Sequence, residues 1–572
     1  MKVLLPFLKP YRKQLTLGPA AKLAEAVFEL LLPLLMARLV DEGIAGNNSG
    51  TILRLCLQMA CIAAAGFACS LFCQYSASIA SQGFGTALRD ALYKHINTLS
   101  RLDIDRFGTV TLVNRQTADV TQLQVAVAML IRLVIRAPFL CVGGLVMAML
   151  LDFRLSLVLL IFIPLFGIAL FWLVSKTIPL YTKTQALLDK LSVILRENLH
   201  GVRVVRAFGQ TAAETQRFQN ANTAQADAGL RAGRLSALLS PVTLLLMNAA
   251  TLCIVWFGGG RIEAGGLTQG ELVAFISYVT QIMLALIVVS NLAVLFTRAA
   301  AAGARVSEVL STAPSITDGP METPQPNADA IVFSNVSFRY EGGAEPALSG
   351  ISFCLRRGQT MGIVGGTGAG KSTLVGLIPR FDDASEGTIN VLGVPAKAWR
   401  LSALRKQIGL VPQKAVLFTG TIESNIRHGK ADATLNELQH AADDAQATEF
   451  IERIGGLSAG VQQGGRNLSG GQRQRITIAR ALVRNPEILI LDDSASALDY
   501  LTDAKLRAAL KARGATTVIV SQRISAVMDA DFVLVLDNGT QAGLGTHDEL
   551  LQENTVYQEI CHSQGINGEG IA

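Results

Sequence analysis

The sequence predicts two fold classes in series, a membrane all-α domain of six spanning helices followed by an α/β domain. Three observations predict this order. Long apolar runs recur from near the start to about Ala300. Basic residues crowd alternate connectors between those runs. Past a proline-rich stretch at Thr312–Ala328, the pattern changes to short β-rich runs alternating with helical stretches, as in α/β domains. Composition agrees: hydrophobic residues make up 50% of the chain and charged residues 16%, against roughly 25% charged in soluble domains. That excludes a disordered chain and argues against a wholly soluble enzyme. A net charge of +6 over 572 residues does not suit a nucleic-acid partner. Cysteines lie mostly inside apolar runs, without CxxC spacing, and read as small buried hydrophobes rather than a disulfide framework or zinc site.

The expected spans lie near Leu15–Val40, Ile52–Ser78, Leu133–Leu151, Leu155–Ser175, Leu235–Phe257 and Leu272–Thr297. Each covers the ~20 residues that a bilayer core requires. Lys2, Lys9, Arg12 and Lys13 precede the first span. Arg89, Lys94, Arg101, Arg106 and Arg115 lie between spans two and three, and Lys183, Lys190, Arg196, Arg203, Arg206 and Arg217 between spans four and five. The connectors Asp41–Thr51, Asp152–Arg154 and Gly258–Gly270 are short and nearly free of Lys and Arg. The positive-inside bias therefore places both termini in the cytosol. The long cytosolic connectors keep apolar residues at helical spacing, so they are expected to extend the helices beyond the membrane. Leu4–Gln14, with Pro6 and Pro10 among apolar and basic residues, suits a short helix on the membrane surface.

Lys22, Glu25 and Glu29 share one face of the first span. Charges at this depth face a bundle interior or an aqueous cavity. Two readings stand. Glu29 is a cavity acid attracting cationic drugs, or Lys22 pairs with Glu25 while Glu29 is satisfied by Arg132 or Arg136. Asn248, Tyr278, Gln281 and Asn291 are further cavity candidates.

Gly365–Ser372 reads GGTGAGKS, between an apolar strand pattern at Met361–Val364 and a helical one at Ser372–Ile378. This is the strand–loop–helix context in which backbone N–H groups and a helix N-terminus cradle phosphates. The loop is Gly365, Gly366, Thr367, Gly368, Ala369, Gly370, Lys371, Ser372 and Thr373, with Lys371 expected at the β/γ-phosphates and Ser372 at Mg²⁺. Ile488–Asp492 describes a buried strand ending in a carboxylate, the Walker B arrangement that places Asp492 at the same metal. Between them, Leu468–Gln472 reads LSGGQ ahead of a helical pattern, a second phosphate-binding helix start made of Ser469, Gly470, Gly471 and Gln472.

Taken together, these motifs resemble ATP-binding cassette (ABC) transporters over nearly the whole chain, in the arrangement of an exporter half-transporter. The resemblance implies an α/β P-loop NTPase cassette with a RecA-like core, an antiparallel β subdomain and an α-helical subdomain. It implies ATP and Mg²⁺ as ligands. It divides the chain into a transmembrane domain (1–311), a linker (312–328), the cassette (329–563) and a C-terminal tail (564–572). It also makes Tyr340 the aromatic that stacks on adenine and Gln413 the Q-loop residue near Mg²⁺ and the attacking water. Ser496–Asp499 becomes the loop contacting the other subunit. Phe107–Arg115 and Gly201–Gln210 become the coupling regions, the second of which reaches the partner's cassette in such exporters.

Two positions depart from the family pattern. Asp493 stands where the family usually has a catalytic Glu, and Gln522 where it usually has the switch-loop His. The shorter carboxylate sits about 1.5 Å farther back, and Gln cannot become a cation. Both together resemble the degenerate-site subunit of heterodimeric bacterial multidrug exporters. ATP binding should survive there with slow hydrolysis, while LSGGQ serves the partner's site. The implied partners are a second, different half-transporter, membrane lipid, and a hydrophobic or amphipathic small molecule or peptide, in the bacterial plasma membrane. The same scaffold also serves lipid flippases, siderophore importers, and ATP-gated channels or regulatory membrane proteins.

Overall fold

The computed structural model describes residues 2–340, 342–343, 345–494 and 498–565. Two compact units form. One holds the residues up to Asn97 together with Thr109–Thr312; the other holds Thr98–Gly108 and the chain from Ala313 onward.

The first unit is all helical. After a 3₁₀ helix at Lys2–Tyr11 come α1 (Arg12–Arg38) and α2 (Ser49–Ile96). The short helices α3 (Arg101–Phe107), which belongs to the other unit, and α4 (Thr109–Asn114) follow. Next are α5 (Val120–Arg132), α6 (Arg136–Leu151), α7 (Phe153–Ala207), α8 (Thr211–Ala237), α9 (Leu239–Glu263) and α10 (Gln269–Ser311). The expected helical extensions are present: α7 runs unbroken for 55 residues, about 80 Å at ~1.5 Å per residue. Among the described residues five helical stretches are long and apolar enough to cross a membrane: Ser49–Ile96, Thr109–Leu151, Phe153–Ala207, Thr211–Glu263 and Gln269–Ser311. The first expected span is not among them, because α1 carries Lys22, Glu25 and Glu29 in its apolar stretch.

Polar ties fix the helix ends. Asn48 caps α2 by accepting from Gly50 and Thr51 N–H at 3.1 Å. Asp152 caps α7 through Leu155 N–H at 2.8 Å and also accepts from the Arg261 guanidinium of α9 at 2.7 Å. Asp41 accepts from the Thr268 hydroxyl at 2.6 Å and from Gly270 N–H at 2.9 Å. A Cβ at Gly270 would come within 2.2 Å of the Ala37 carbonyl oxygen, so only glycine fits this crossing.

Tyr278 is not a cavity residue. It is fully buried, and its hydroxyl donates to the Leu30 carbonyl at 2.8 Å, joining α10 to α1. Lys22 lies 2.6 Å from Glu25, and Arg136 2.6 Å from Glu29, so both acids of α1 have basic partners.

The second unit is built on a mixed sheet. Its strands are β1 (Ile331–Phe338), β2 (Leu348–Leu355), β3 (Thr360–Gly365), β4 (Glu386–Val391), β5 (Val394–Pro395) and β6 (Ile408–Val411). A two-stranded ribbon, β7 (Gly420–Thr421) with β8 (Gly460–Val461), stands apart. The remaining strands are β9 (Ile488–Asp492), β10 (Thr516–Val520), β11 (Phe532–Asp537) and β12 (Thr540–Gly545). The order is β5-β4-β1-β2-β12-β11-β3-β10-β9-β6. From β11 to β6 every pairing is parallel; β5, β4, β1 and β2 pair antiparallel. The halves meet where Thr540 pairs with Ser349. All five residues of both β9 and β10 are buried, as parallel strands covered on two faces require.

The helices of this unit begin with α11 (Lys371–Leu377), directly after the β3 loop. Then come α12 (Leu401–Lys406), α13 (Ile422–Arg427), α14 (Leu435–Asp444), α15 (Thr448–Arg453), α16 (Gly470–Leu482) and α17 (Tyr500–Arg513). The last are α18 (His547–Glu553) and α19 (Thr555–Ser563). Leu438, Phe450, Ile476 and Leu482 of α14–α16 share a core with Leu489 and Leu491 of β9. The helical subdomain is therefore packed directly onto the strand that ends at the site.

Helix α3, which ends where the expected coupling region Phe107–Arg115 begins, is held within this unit. The Asp103 carboxylate accepts from Ser315 N–H at 3.1 Å and from its hydroxyl at 3.0 Å, and the Ser315 and Ser100 hydroxyls lie 2.7 Å apart. Burial works to raise the Asp103 pKa, but these hydrogen bonds together hold it below the usual carboxylate range.

Candidate nucleotide site

The parallel strands end together at one edge, and the loops leaving them build a cleft. β3 runs into the glycine-rich loop, whose backbone only glycine tolerates at key points. Gly370 has φ +89°, and a Cβ there would lie 2.7 Å from the Ala347 carbonyl oxygen. At Gly366 and Gly368 a Cβ would meet nothing within 4 Å, so this stretch of loop backbone is open to a ligand. Such a loop leading into a helix start supplies N–H donors and positive dipole to an anion.

The cleft encloses about 320 Å³ and is lined by the loop from Thr367 to Thr373 with Tyr340, Gln413, Asp492, Asp493 and Gln522. Lys371 donates to the carbonyls of Gly365 at 2.8 Å and Gly366 at 2.7 Å. Burial lowers its ammonium pKa, and the nearby Asp493 and Asp492 oppose that. The Ser372 hydroxyl donates to Asp492 at 3.1 Å. Burial raises the Asp492 carboxyl above its usual range, with the Ser372 hydrogen bond working against it. Gln413 donates from Nε2 to the Asp493 carboxylate at 3.2 Å. The Tyr340 and Thr373 hydroxyls are 3.0 Å apart, and the Tyr340 ring stands edge-on to Phe338 with centroids 4.8 Å apart. An aromatic face, a phosphate cradle with a lysine, and a serine–aspartate pair therefore share one cleft.

Asp493 has a left-handed backbone, φ +47°. Asp is one of the few residue types that adopt this region readily. The signature lies elsewhere. Ser469 caps α16 by accepting from Gln472 N–H at 3.3 Å, while Gln472 accepts from Ser469 N–H at 2.9 Å. This reciprocal box fixes the helix start. A Cβ at Gly470 would meet nothing within 4 Å, so the space before the helix is open. Gly471 follows in the first turn of α16. None of the four residues lines the cleft.

Ser496 and Ala497, part of the expected inter-subunit loop, lie outside the described residues, as do residues 566–572 of the tail. Asp499 caps α17 through Thr502 N–H at 2.9 Å.

Sequence reasoning missed Gln564. Its side-chain amide donates to the Gln522 carbonyl at 2.7 Å and accepts from Ile524 N–H at 2.9 Å, holding the switch loop at two points. A glutamine 42 residues away, past the last helix, carries no local signal of that contact.

A glycine-rich phosphate cradle on a parallel sheet, an acidic strand end, a capped signature helix and a fused helical membrane unit define an ABC-type transporter ATPase. The comparisons agree, and the chain belongs to the ABC transporter family. Residues 15–286 match the ABC transporter transmembrane region and residues 348–496 the ABC transporter domain. An uncharacterized ABC transporter ATP-binding protein of Mycobacterium tuberculosis is 39% identical over 569 residues, covering 98% of this chain and 97% of its own. The probable multidrug resistance ABC transporter ATP-binding/permease protein YheI of Bacillus subtilis is 34% identical, covering 98% and 97%. The structure of a bacterial Atm1-family ABC exporter with ATP bound superposes with a TM-score of 0.80 at 26% identity, covering 99% of this chain and 100% of that one. The chain thus has the exporter half-transporter fold, with membrane region and cassette in one polypeptide.

Proposed function

We infer that the chain is one half of an ATP-driven exporter in the bacterial plasma membrane, working with a second, different half-transporter. The observation that carries export is the end-to-end likeness to an ATP-bound exporter. The relatives named for multidrug resistance and multidrug export support a hydrophobic or amphipathic substrate, a small molecule or peptide. On this reading α1 is the sixth span, its charges neutralised in pairs. Both termini and the cassette are cytosolic. The functional division is 1–311, 312–328, 329–563 and 564–572.

In the cleft, Tyr340 would stack on adenine, and the loop from Gly365 to Thr373 would bind the phosphates with Lys371 at the β/γ positions. The Ser372–Asp492 pair and Gln413 fit Mg²⁺, an oxygen-seeking cation. When bound, Mg²⁺ would neutralise charge on the phosphates. Gln413 and Asp493 would hold the water. The short carboxylate and the uncharged Gln522 leave this site slow, while Ser469, Gly470, Gly471 and Gln472 complete the partner's site.

Purification of the tagged full-length chain from its native cells, with identification of co-purifying half-transporters, tests the pairing. ATP-dependent accumulation of an amphipathic dye in inside-out vesicles of those cells, absent in a deletion strain, tests export. Recovery of the chain only as a homodimer would overturn the pairing; equal dye accumulation in both strains would leave export unsupported for that dye class.

A further inference from the structure

We propose that Arg132, at the break between α5 and α6, is the anion-binding residue of a subsite in the membrane unit, and that its ligand is an amphiphile with a carboxylate or phosphate head. The charges around it lead to this. Lys22 is paired with Glu25, and Arg136 with Glu29, each at 2.6 Å. Among the described residues the Arg132 side chain makes no hydrogen bond or ion pair, and its Nε is buried without a partner. Ile131, the residue before Arg132, packs against Gly18 of α1, so three cations and two acids gather where α1 meets the α5–α6 break. The same neighbourhood holds two further unmet polar atoms, Arg136 Nε and the Gln281 Oε1 acceptor. Gln281 is placed there by its Nε2, 3.4 Å from the Glu29 carbonyl. The ligand would thus carry an anion and, toward Gln281, a hydrogen-bond donor.

The backbone sets the position. Helical geometry lapses at Leu133–Ile135, with Leu133 and Val134 both donating to the Met129 carbonyl. Helix α6 then runs 16 residues to Leu151, about 24 Å at ~1.5 Å per residue. In a core ~30 Å thick, the break falls in the half of the membrane nearer the α5 end. An unneutralised arginine at that depth is costly against lipid tails and belongs on a cavity or headgroup-facing wall. This reverses the reading of Glu29 as an attractor of cations: Arg136 already occupies that acid, and the surplus charge is positive. The proposal rests on the export reading only for the claim that the ligand is cargo.

The test uses the assembled transporter in phosphatidylcholine nanodiscs. Binding of dodecyl phosphate, below its micelle concentration and without ATP, is measured by thermophoresis, with dodecyltrimethylammonium as the opposite-charge control. Dodecyl phosphate should bind in preference to the cation. Arg132→Gln should weaken it about tenfold or more, the loss of one charge-assisted contact. Arg132→Lys should stay within about threefold of wild type. Equal binding by Arg132→Gln, or preference for the cation, would overturn the proposal. So would loss of assembly in both variants, which would assign Arg132 to a contact between subunits. If Arg132→Gln alone fails to assemble, Arg132→Lys decides: retained binding upholds the site, and its loss removes it. Replacing part of the phosphatidylcholine by phosphatidylglycerol identifies the source of the anion. Competition with dodecyl phosphate in wild type means a lipid headgroup, and its absence a soluble amphiphile; either outcome supports the site. ATPase stimulation by dodecyl phosphate, read in parallel, separates the two claims. Arg132-dependent binding without ATPase stimulation would remove the claim that the ligand is cargo and leave the subsite standing.

Discussion

The cassette offers two phosphate-facing surfaces, and they differ in how closely they keep to the family pattern. The signature surface conforms: Ser469 and Gln472 cap each other, and the space before Gly470 is open. The P-loop surface keeps its cradle, its lysine and its Ser372–Asp492 contact. It departs at the two positions nearest the chemistry, Asp493 and Gln522. On the proposed reading, binding groups are kept on both surfaces, while the groups that would move a proton or stabilise charge in the transition state are altered on one. On the proposed assembly, this chain's main contribution to hydrolysis is the surface it lends to its partner.

The largest expected effect breaks that asymmetry from the conforming side. Ser469→Arg removes the cap and drives a long cation into the helix start. Steady-state ATPase of the assembled transporter should fall about 100-fold or more, as when a preorganised phosphate or oxyanion donor is removed. Lys371→Ala should weaken nucleotide binding at this chain's own cleft yet leave turnover within about threefold. Turnover that survives Ser469→Arg but stops with Lys371→Ala would reverse the assignment of the two surfaces.

A smaller effect is expected from repairing the altered positions. Asp493→Glu returns the longer carboxylate, but on a left-handed backbone that Asp tolerates better, a cost on the order of 1 kcal/mol. It also displaces the acceptor that Gln413 reaches at 3.2 Å. Measured in a transporter whose partner lacks its own catalytic carboxylate, Asp493→Glu should gain a few-fold at most. Gln522→His added to it should gain more than either change alone, because groups acting as a unit are not additive. Full wild-type turnover from Asp493→Glu alone would show that the carboxylate length was the whole defect.

The site was legible in the sequence where function and local structure coincide. The P-loop needs glycines between a strand and a helix, and β3 and α11 fall within a residue of the expected bounds. The buried run Ile488–Asp492 is the strand β9. The membrane helices were legible from apolar length, but their partners were not. Arg132 and Arg136 are four residues apart, and the sequence does not say which of them reaches Glu29; in the structure it is Arg136, beyond the break at Leu133–Ile135. Tyr278 carries a polar atom in an apolar helix, which fits a cavity wall or a helix–helix tie equally well until the Leu30 carbonyl is seen beside it. Helix α3 belongs by sequence to a membrane connector and by packing to the cassette unit, through contacts with Ser315 more than 200 residues away.

The smallest expected effect concerns Gln564, which sharpens the comparison because it acts on the altered surface alone. Its amide spans the backbone on both sides of Arg523, donating to the Gln522 carbonyl and accepting from Ile524 N–H. It does not line the cleft and its hydrogen bonds go to backbone, so its role is to position the loop from which the Gln522 side chain reaches the cleft. The bond to the Gln522 carbonyl is exposed and the one from Ile524 N–H part-buried, each at about 1 kcal/mol. Gln564→Ala should therefore leave the transporter folded, with nucleotide affinity within about twofold. Backbone amide exchange at Ile524 should speed up, which a purely structural role at the end of α19 would not single out. In wild type, whose own cleft is slow on the proposed reading, turnover should barely move. In the Asp493→Glu, Gln522→His background the restored side chain depends on a fixed loop, so Gln564→Ala should remove most of the gain. Gln564→Glu keeps the acceptor for Ile524 but loses the donor to Gln522, and should fall between the two. An unchanged gain in the repaired background, with Ile524 exchange equally unchanged, would leave the clamp without a role in hydrolysis.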